Sequence, residues 1–281
     1  MATIELMGGL GNQLFQIFTL LSYSMNVKGS FFFEEVEIRI GHRKKTYWTT
    51  FLKSLAPYVK VPVALPVHRE RGFNYTPIPT SPSDKKLYGY FQSYKYFESH
   101  QDYIMDLLKF KDTKQHVCSR VPLDYTNSIS LHFRIGDYKP LQNIHPIMSI
   151  EYYKLALNTL MDDTGRTDWT VLYVCEEKDL AIVEQSVREI RDDINMSSMT
   201  FRRLEGTLED WEEMLVMSLC RHNIIANSTF SWWGATLNQT PGRRVYYPCV
   251  WFGPDANTPD VSDLFPSDWT QIKADPCVRR I

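Results

Sequence analysis

The sequence lacks an excess of basic residues. Lys and Arg total 31 against 33 Asp and Glu, so the formal net charge at pH 7 is −2. Proteins that bind a nucleic-acid backbone usually carry a clear basic excess or a basic stripe. The charge balance therefore disfavours a nucleic-acid partner and favours a small anionic molecule held by a few well-placed cations.

Cysteine motifs and long apolar runs are also missing. The five cysteines are scattered, with no Cys-x-x-Cys pair and no Cys/His spacing typical of a metal site. This pattern predicts reduced thiols in a reducing compartment. No signal peptide precedes the first apolar segment, and no apolar run approaches the ~20 residues of a membrane span. We therefore expect a cytoplasmic protein without a membrane span.

Aromatic residues, in contrast, are abundant. They make up 14% of the 281 residues, and hydrophobic residues make up 43%, a balance typical of a soluble globular protein. The rings fit either a bulky core or a site that stacks on sugars or nucleobases. Composition leaves both interpretations open.

Apolar periodicity predicts two successive α/β units. A strand at residues 3–7, a helix at about residues 12–25 and a strand in "SFFFEEV" form a β-α-β opening. From residue 128 onward, strand-like segments alternate with helical ones, which is typical of a parallel doubly wound sheet. We expect an α/β fold of two facing Rossmann-like domains, residues 1–124 and 125–281. Residues 60–86 hold five prolines and no sustained period, which predicts an irregular segment.

The opening "MGGLGNQLFQ" resembles a phosphate-binding turn only in part. Gly9 and Gly11 supply the first two positions of G-x-G-x-x-G, but the third falls at Leu14, and no Gly-Lys-Ser/Thr follows. A glycine turn still brings a helix N-terminus and the amides of Asn12 and Gln13 to the edge of the sheet. The alternative is a tight turn that needs a positive φ.

The stretch "LHFRIGDY" places polar residues at the end of a predicted strand. Alternation puts His132 and Arg134 on one face, with Gly136 ending the strand and Asp137 in the turn. Ligands of open sheets bind at such edges, where an Arg can grip phosphate bidentately. The alternative interpretation is an Arg–Asp pair that holds the loop.

The stretch "IIANSTFSWWGA" combines a buried strand with a helix start rich in hydroxyls. The strand ends at Asn227, and Ser228, Thr229 and Ser231 follow. Hydroxyls and N–H groups at a helix N-terminus bind phosphate, although a Ser N-cap ahead of an aromatic core face gives the same pattern. The spacing does not show which of the two adjacent tryptophans packs in the core.

Together these motifs resemble glycosyltransferase family 11, the α-1,2-fucosyltransferases. The segments "MGGLGNQLFQ", "LYGYFQSYKYF", "LHFRIGDY" and "LEDWEEMLVMSLCRHNIIANSTFSWWGATLN" stand in the order seen in that family, from residue 4 to about residue 253. The resemblance implies a GT-B type fold and GDP-β-L-fucose as donor, held mainly by the second domain. It also implies inversion to an α linkage on a glycan acceptor, with no cofactor and no required metal.

The resemblance also implies roles for individual residues. Asn12 looks like a contact to fucose or its phosphate, Arg134 like the cation on the departing β-phosphate, with His132 beside it, and Asp137 like either a base or an anchor of Arg134. The catalytic set is therefore His132, Arg134, Asp137 and Asn12. The implied donor contacts are Gly9, Gly11, Arg134, Asp210, Asn227, Ser228, Thr229, Phe230 and Ser231.

Two departures from the family pattern bear on specificity. Ile135 stands where the family has a second Arg, and Cys175, Glu176 and Glu177 stand where Ser-Asp-Asp is common. A missing cation could weaken donor binding or change the accepted sugar. The open alternatives are a transferase for another GDP-sugar and an inactive relic that binds a glycan or nucleotide. A microbial or viral enzyme of polysaccharide biosynthesis fits best, and the sequence does not identify its acceptor.

Overall fold

The chain divides into two compact units. The computed structural model describes residues 1–35, 46–80, 83–257, 259–275 and 277–279. The first unit comprises Met1–His116 and Asp260–Pro266, and the second comprises Val117–Pro259 and Ser267–Ile281. We expected one boundary at residue 124; in this division the first stretch ends at His116, and a late segment also belongs to the first unit. Asp263 of that segment accepts a hydrogen bond from the Tyr75 backbone N–H at 3.0 Å.

The first unit holds short parallel sheets beside an N-terminal helix. Its strands are β1 (Ala2–Ile4), β2 (Phe33–Glu34), β3 (Val59–Lys60), β4 (Val67–Arg69) and β5 (Lys85–Tyr88). Its helices are α1 (Leu10–Asn26), α2 (Gln101–Leu107) and α3 (Phe110–Arg120), of which the last runs across the division. The sheets have the orders β1-β5-β4 and β2-β3. The predicted β-α-β opening is confirmed, although Val36 of the predicted strand lies outside the described residues.

Parallel pairing sets the edge at which the first unit presents its loops. Ile4 of β1 lies opposite Leu87 of β5. Because both strands run in the same direction, residues 5–9 and residues 89–92 leave the sheet at the same carboxyl edge.

The prediction that residues 60–86 are irregular is wrong in part. Val67 to Arg69 form β4, which pairs in parallel with Lys86 to Tyr88 of β5. Residues 67–69 show no local periodicity, but pairing with β5 gives their backbone N–H and C=O groups hydrogen-bond partners. This strand therefore forms because of tertiary contacts and not because of its local sequence pattern. Ser81 and Pro82 lie outside the described residues.

The second unit is a doubly wound α/β structure. Its strands are β6 (Ser128–His132), β7 (Thr170–Val174), β8 (Thr200–Arg203), β9 (His222–Ile224), β10 (Val245–Pro248) and β11 (Thr270–Ile272). Its helices are α4 (Ile150–Thr164), α5 (Leu180–Arg191), α6 (Asp210–Leu219) and α7 (Thr229–Thr236). The sheet order is β8-β7-β6-β9-β10-β11, with every pairing parallel. This is the Rossmann order, in which ligands bind where the strand order reverses.

The predicted α/β class with parallel sheets is therefore confirmed, and each unit has the organisation that a GT-B type fold contains. β11 follows the strand predicted to be the last one. The apolar faces of α4 and α5 pack on the second sheet, around a core that includes Ile129, Leu157 and Val183. Within the described part of the chain, no helix has both the length and the apolar character of a membrane span.

Candidate functional site

The strand order of the second sheet reverses between β6 and β9. These strands pair directly, with Leu131 opposite Ile224, and the chain leaves both at the carboxyl edge. The two exits are linked, because the Tyr138 hydroxyl donates to Asn227 O at 3.1 Å. The His132 ring also lies 5.5 Å from that of Phe230, centroid to centroid. The sequence motifs around Arg134 and around Ser228 thus meet at the switch point.

Arg134 is half-buried between two carboxylates and an aromatic ring. Nη1 donates to Glu176 Oε1 and Nη2 to Asp137 Oδ1, both at 2.5 Å. The guanidinium carbon lies 5.1 Å from the centroid of the Tyr138 ring. The alternative interpretation of an Arg–Asp pair is therefore realised. Glu176, which follows the neighbouring strand β7, adds a partner that sequence reasoning treated only as a departure from a family pattern.

His132 is a buried, neutral ring. Burial, and then the charge of Arg134, lower its pKa from 6.5 to about 3. Its backbone carbonyl accepts a hydrogen bond from the Tyr153 hydroxyl at 3.0 Å, which ties the end of β6 to α4. Within the described residues, Nδ1 is buried without a hydrogen-bond partner. A neutral imidazole at this place can exchange hydrogen bonds but carries no positive charge at neutral pH.

The N-terminus of α7 lies at the same edge. Ser228 is the N-cap, and its Oγ accepts from Phe230 N at 3.3 Å. Ser231 is fully buried and donates to Ser228 O at 3.2 Å, so its hydroxyl stabilises the turn. Thr229 is half-buried in the first turn. Trp232 and Trp233 are both fully buried, which answers the question that their spacing left open.

Asn227 fixes the loops around the site. Its Nδ2 donates to Pro146 O at 2.9 Å and to Trp251 O at 3.1 Å. The side chain is buried, and among the described residues its Oδ1 has no hydrogen-bond partner. Asn227 therefore braces the two loops that flank the N-terminus of α7.

Asp210 lies at the start of α6. Its carboxylate accepts from Trp211 N at 2.9 Å. Sequence reasoning missed its neighbour Glu213, whose pKa is raised to about 7 by burial and then by the charge of Asp210. The run "LEDWEE", with four acidic residues in six, was the sequence feature that could have indicated an acidic cluster including Glu213.

Ile135 lies in the apolar core, at 3% exposure, with Phe133 and Tyr153. The next residue, Gly136, has its N–H bonded to Asp179 Oδ2 at 2.6 Å. A Cβ at Gly136 would lie 2.9 Å from Glu176 Oε1. Asp179 and Glu176 thus hold the loop after β6 at Gly136. Ile135, which stands where the family has a second Arg, faces the core.

The predicted glycines of the first unit have different roles. Gly8, and neither Gly9 nor Gly11, has a positive φ, of 72°. A Cβ on Gly8 would lie 2.4 Å from Asn12 Nδ2. Gly9 is the N-cap of α1, with no heavy atom within 4 Å of where a Cβ would lie, and Gly11 is buried in α1. The alternative of a tight turn with a positive φ is therefore observed at Gly8. At Gly9, in contrast, there is space for a side chain.

Asn12 is held at the carboxyl edge of the first sheet. Its Oδ1 accepts from Gln92 Nε2 at 3.0 Å, and Gln13 Nε2 donates to Gly8 O at 3.1 Å. The predicted site residues are thus divided between the units, with Gly9, Gly11 and Asn12 in the first and the remainder in the second. In the described ranges, no three His, Cys, Asp or Glu side chains form a group that could hold a metal ion.

Residues 1–273 match the family described as Glycosyl transferase family 11. The chain is similar to the Escherichia coli O-antigen biosynthesis glycosyltransferase WbnK, with 30% identity over 183 residues that cover 59% of this chain and 55% of that protein. It is also similar to an Escherichia coli alpha-1,2-colitosyltransferase, with 27% identity over 191 residues, 66% of this chain and 61% of that one. The chain spans less than two thirds of the length of these curated relatives.

Similar solved structures share little sequence with the chain. An Arabidopsis thaliana FUT1 mutant in complex with GDP has a TM-score of 0.48 and 11% identity, covering 94% of this chain and 74% of that chain. A glycosyl transferase family 9 structure from Veillonella parvula has a TM-score of 0.46 and 11% identity, covering 98% and 86%. POFUT1 in complex with GDP-fucose has a TM-score of 0.44 and 9% identity, covering 97% of each chain.

Proposed function

Because the chain belongs to glycosyl transferase family 11, we propose that it is an inverting fucosyltransferase. It moves L-fucose from GDP-β-L-fucose to a hydroxyl of an acceptor glycan, forming an α-1,2 linkage without a metal ion. The observation that carries the proposal is the meeting of the Arg134 loop with the N-terminus of α7 at the switch point of the second sheet. Such an edge binds the phosphates of nucleotides.

Donor binding is proposed to use both features at once. The guanidinium of Arg134 offers paired N–H donors that suit a phosphate. Backbone N–H groups at the first turn of α7 add partial positive charge. Phe230, half-buried beside His132, offers a ring face to the nucleoside.

The proposed catalysis depends on stabilising the negative charge that develops on the departing phosphate. The bond from fucose C1 to the β-phosphate oxygen breaks with its electron pair on GDP, through an oxocarbenium-like transition state. Arg134 and the α7 N–H groups would stabilise the growing phosphate charge more in the transition state than in the ground state. His132, neutral because of burial, does not add charge there.

Asp137 is better suited to anchoring Arg134 than to removing the acceptor proton. Its side chain is 63% exposed and already bonded to Arg134 at 2.5 Å. The oxygen that would accept the proton is therefore already engaged with a cation. On the acceptor side, Asn12 is proposed to contact the fucose or its phosphate, supported by its place at the carboxyl edge of β1.

A second candidate is the transfer of another sugar, either a deoxyhexose or a hexose, from a guanosine carrier. One observation favours it, namely the similarity to an alpha-1,2-colitosyltransferase. This candidate keeps the phosphate site and changes only the contacts to the sugar.

Calorimetric titration with GDP, GDP-fucose, GDP-mannose and UDP, in the presence of a chelator, tests the proposal. We expect GDP and GDP-fucose to bind, UDP to fail, and Arg134→Ala to abolish binding. Arg166→Ala, which removes an exposed Arg paired with Asp168, is the matched control. Equal binding of GDP-mannose would favour the second candidate, and an absence of guanosine nucleotide binding would contradict both.

A further inference from the structure

The loop after β5 belongs to the motif "LYGYFQSYKYF", which has no part in the proposed phosphate site. β5 ends at Tyr88, and residues 89–92 (the 89–92 loop) follow beside α1. Gln16 donates from Nε2 to Gly89 O at 3.1 Å, while its Oε1 accepts from Met7 N at 2.8 Å. One buried amide therefore ties the 89–92 loop to the loop after β1.

Glu70, directly after β4, supports the 89–92 loop from the other side. A Cβ on Gly89 would lie 2.4 Å from Glu70 Cβ and 2.5 Å from its Oε2, so a glycine is needed for Glu70 to reach this place. Glu70 Oε2 accepts from Phe91 N at 2.8 Å. Phe91 has a φ of 53°, which residues with side chains rarely adopt. The carboxylate thus holds a strained backbone.

The next residue carries this support to Asn12. Gln92 is 8% exposed, and its Nε2 donates to Asn12 Oδ1 at 3.0 Å. A continuous set of contacts therefore runs from the Glu70 carboxylate through the backbone of Phe91 to the side chains of Gln92 and Asn12.

The carboxyl group of Glu70 changes its ionisation near neutral pH. Burial raises its pKa to about 7, although the amides of Phe91 and Tyr90 lower it. In the described part of the chain its Oε1 is buried without a hydrogen-bond partner. Tyr96 faces it, and its own pKa is raised to about 12, first by burial and then by Glu70. His68, Arg69 and Arg71 are its charged and titratable neighbours along the chain, and the charge of Asp263 also acts on Tyr96.

We propose that Glu70 is a positioning residue for the acceptor side of the site, whose ionised carboxylate holds the 89–92 loop and thereby fixes Asn12. The proposal rests on the proposed function, since it takes Asn12 as a residue of the reacting site. A carboxylate is a stronger acceptor of amide hydrogen bonds than a carboxylic acid, so the ionised form is the one that holds the loop.

Glu70→Gln tests this role, because it keeps the size of the side chain and removes its charge. We expect kcat for transfer from GDP-fucose at pH 8 to fall roughly 10- to 100-fold, as for a misplaced positioning group. The Kd of GDP should stay within about two-fold, because the phosphate site lies in the other unit. In the wild type, kcat should rise with pH through about 7, and the variant should lack this rise.

Glu98→Gln is the matched control, since it makes the same change at an exposed carboxyl near the 89–92 loop. Hydrogen exchange of residues 87–97 gives a readout without turnover, and Glu70→Gln should exchange faster. A variant with the wild-type rate and pH profile would overturn the positioning role, as would an equal loss in Glu98→Gln or a parallel loss of GDP affinity. If the wild type transfers no fucose, the proposed function fails, and unchanged exchange in Glu70→Gln would then overturn the inference independently.

Discussion

Arg134 is paired with two carboxylates, and the exposure of these carboxylates determines how strong the two ion pairs are. Asp137 is 63% exposed and Glu176 is 40% exposed. Ion pairs that water reaches contribute only about 0–1 kcal/mol. Under the proposed function, a diphosphate can therefore compete for the guanidinium at low cost.

Removal of one of these carboxylates is expected to tighten nucleotide binding. Glu176→Gln takes a negative charge away from the phosphates, so the Kd of GDP should fall roughly 3- to 10-fold at low ionic strength and less at high salt. Calorimetry at two salt concentrations measures this. Glu151→Gln, an exposed carboxyl on α4, is the control, and weaker GDP binding by Glu176→Gln would contradict the competition.

His132 predicts a loss of stability in acid. Its pKa is about 3 in the folded protein and 6.5 when exposed, so the unfolded chain binds more protons between these values. The free energy of unfolding should therefore fall as pH drops below 6.5, by about 2 kcal/mol from this residue at pH 5. Urea unfolding at pH 7 and pH 5 should show a smaller fall for His132→Gln than for the wild type.

At the scale of elements, the start of α7 combines a structural and a proposed binding role. The Ser228 hydroxyl caps the helix through Phe230 N, and the helix turns beside the end of β6. Because the cap also orients the N–H groups that face the proposed phosphate site, the two roles are coupled.

Two substitutions separate these roles. Ser228→Ala removes the cap and should lower the free energy of unfolding by about 1 kcal/mol and weaken GDP binding. Thr229→Ala keeps the cap and should weaken GDP binding with little change in stability. Thermal unfolding and calorimetry of both variants test this. If Thr229→Ala costs as much stability as Ser228→Ala, the cap is wrongly assigned.

Helices and strands could be predicted from the sequence where their own residues carry an apolar periodicity. Helices such as α4 (Ile150–Thr164) carry their own apolar periodicity, and the sequence predicted them well. β4 and β11 are three-residue strands made by pairing with distant neighbours, so no local pattern marked them. β6 ends at His132, three residues earlier than predicted. The predicted alternation of buried and more exposed side chains nevertheless continues beyond it, since Phe133 and Ile135 are buried.

The candidate site shows the same limit. Motifs located His132, Arg134 and Ser228 because strand ends and helix starts are readable from sequence. The partner of Arg134 was not readable, since Glu176 follows another strand, β7. The contact of Glu70 with the Phe91 amide, 21 residues further along the chain, was not readable either. Which carboxylate meets which donor is decided by the packing of whole elements.

At the scale of the whole molecule, the first unit depends on a late piece of the chain. The Asp263 carboxylate accepts from Tyr75 N at 3.0 Å and pairs with Lys95, and its carbonyl accepts from Ser93 Oγ at 2.7 Å. The segment Asp260–Pro266 is thus built into the first unit through backbone and side-chain bonds.

Loss of the Asp263 carboxylate should destabilise the first unit selectively. Asp263→Ala removes the acceptor of the exposed Tyr75 amide, which should cost about 0.5–1.5 kcal/mol. Hydrogen exchange should rise around residues 75–95 and stay unchanged in β6–β9. Asp255→Ala, an exposed residue of the second unit, provides the comparison. A uniform rise across both units would show that they unfold together.

The late segment also has a consequence for synthesis on the ribosome. Domains usually fold from the N-terminus as they emerge, but here the first unit lacks the partners of Tyr75, Ser93 and Lys95 until residue 266 has been made. All of Val117–Pro259 is translated during that interval. The first unit must therefore wait in an unfinished state while most of the second is made, and the second is completed later still, because its strand β11 follows residue 266.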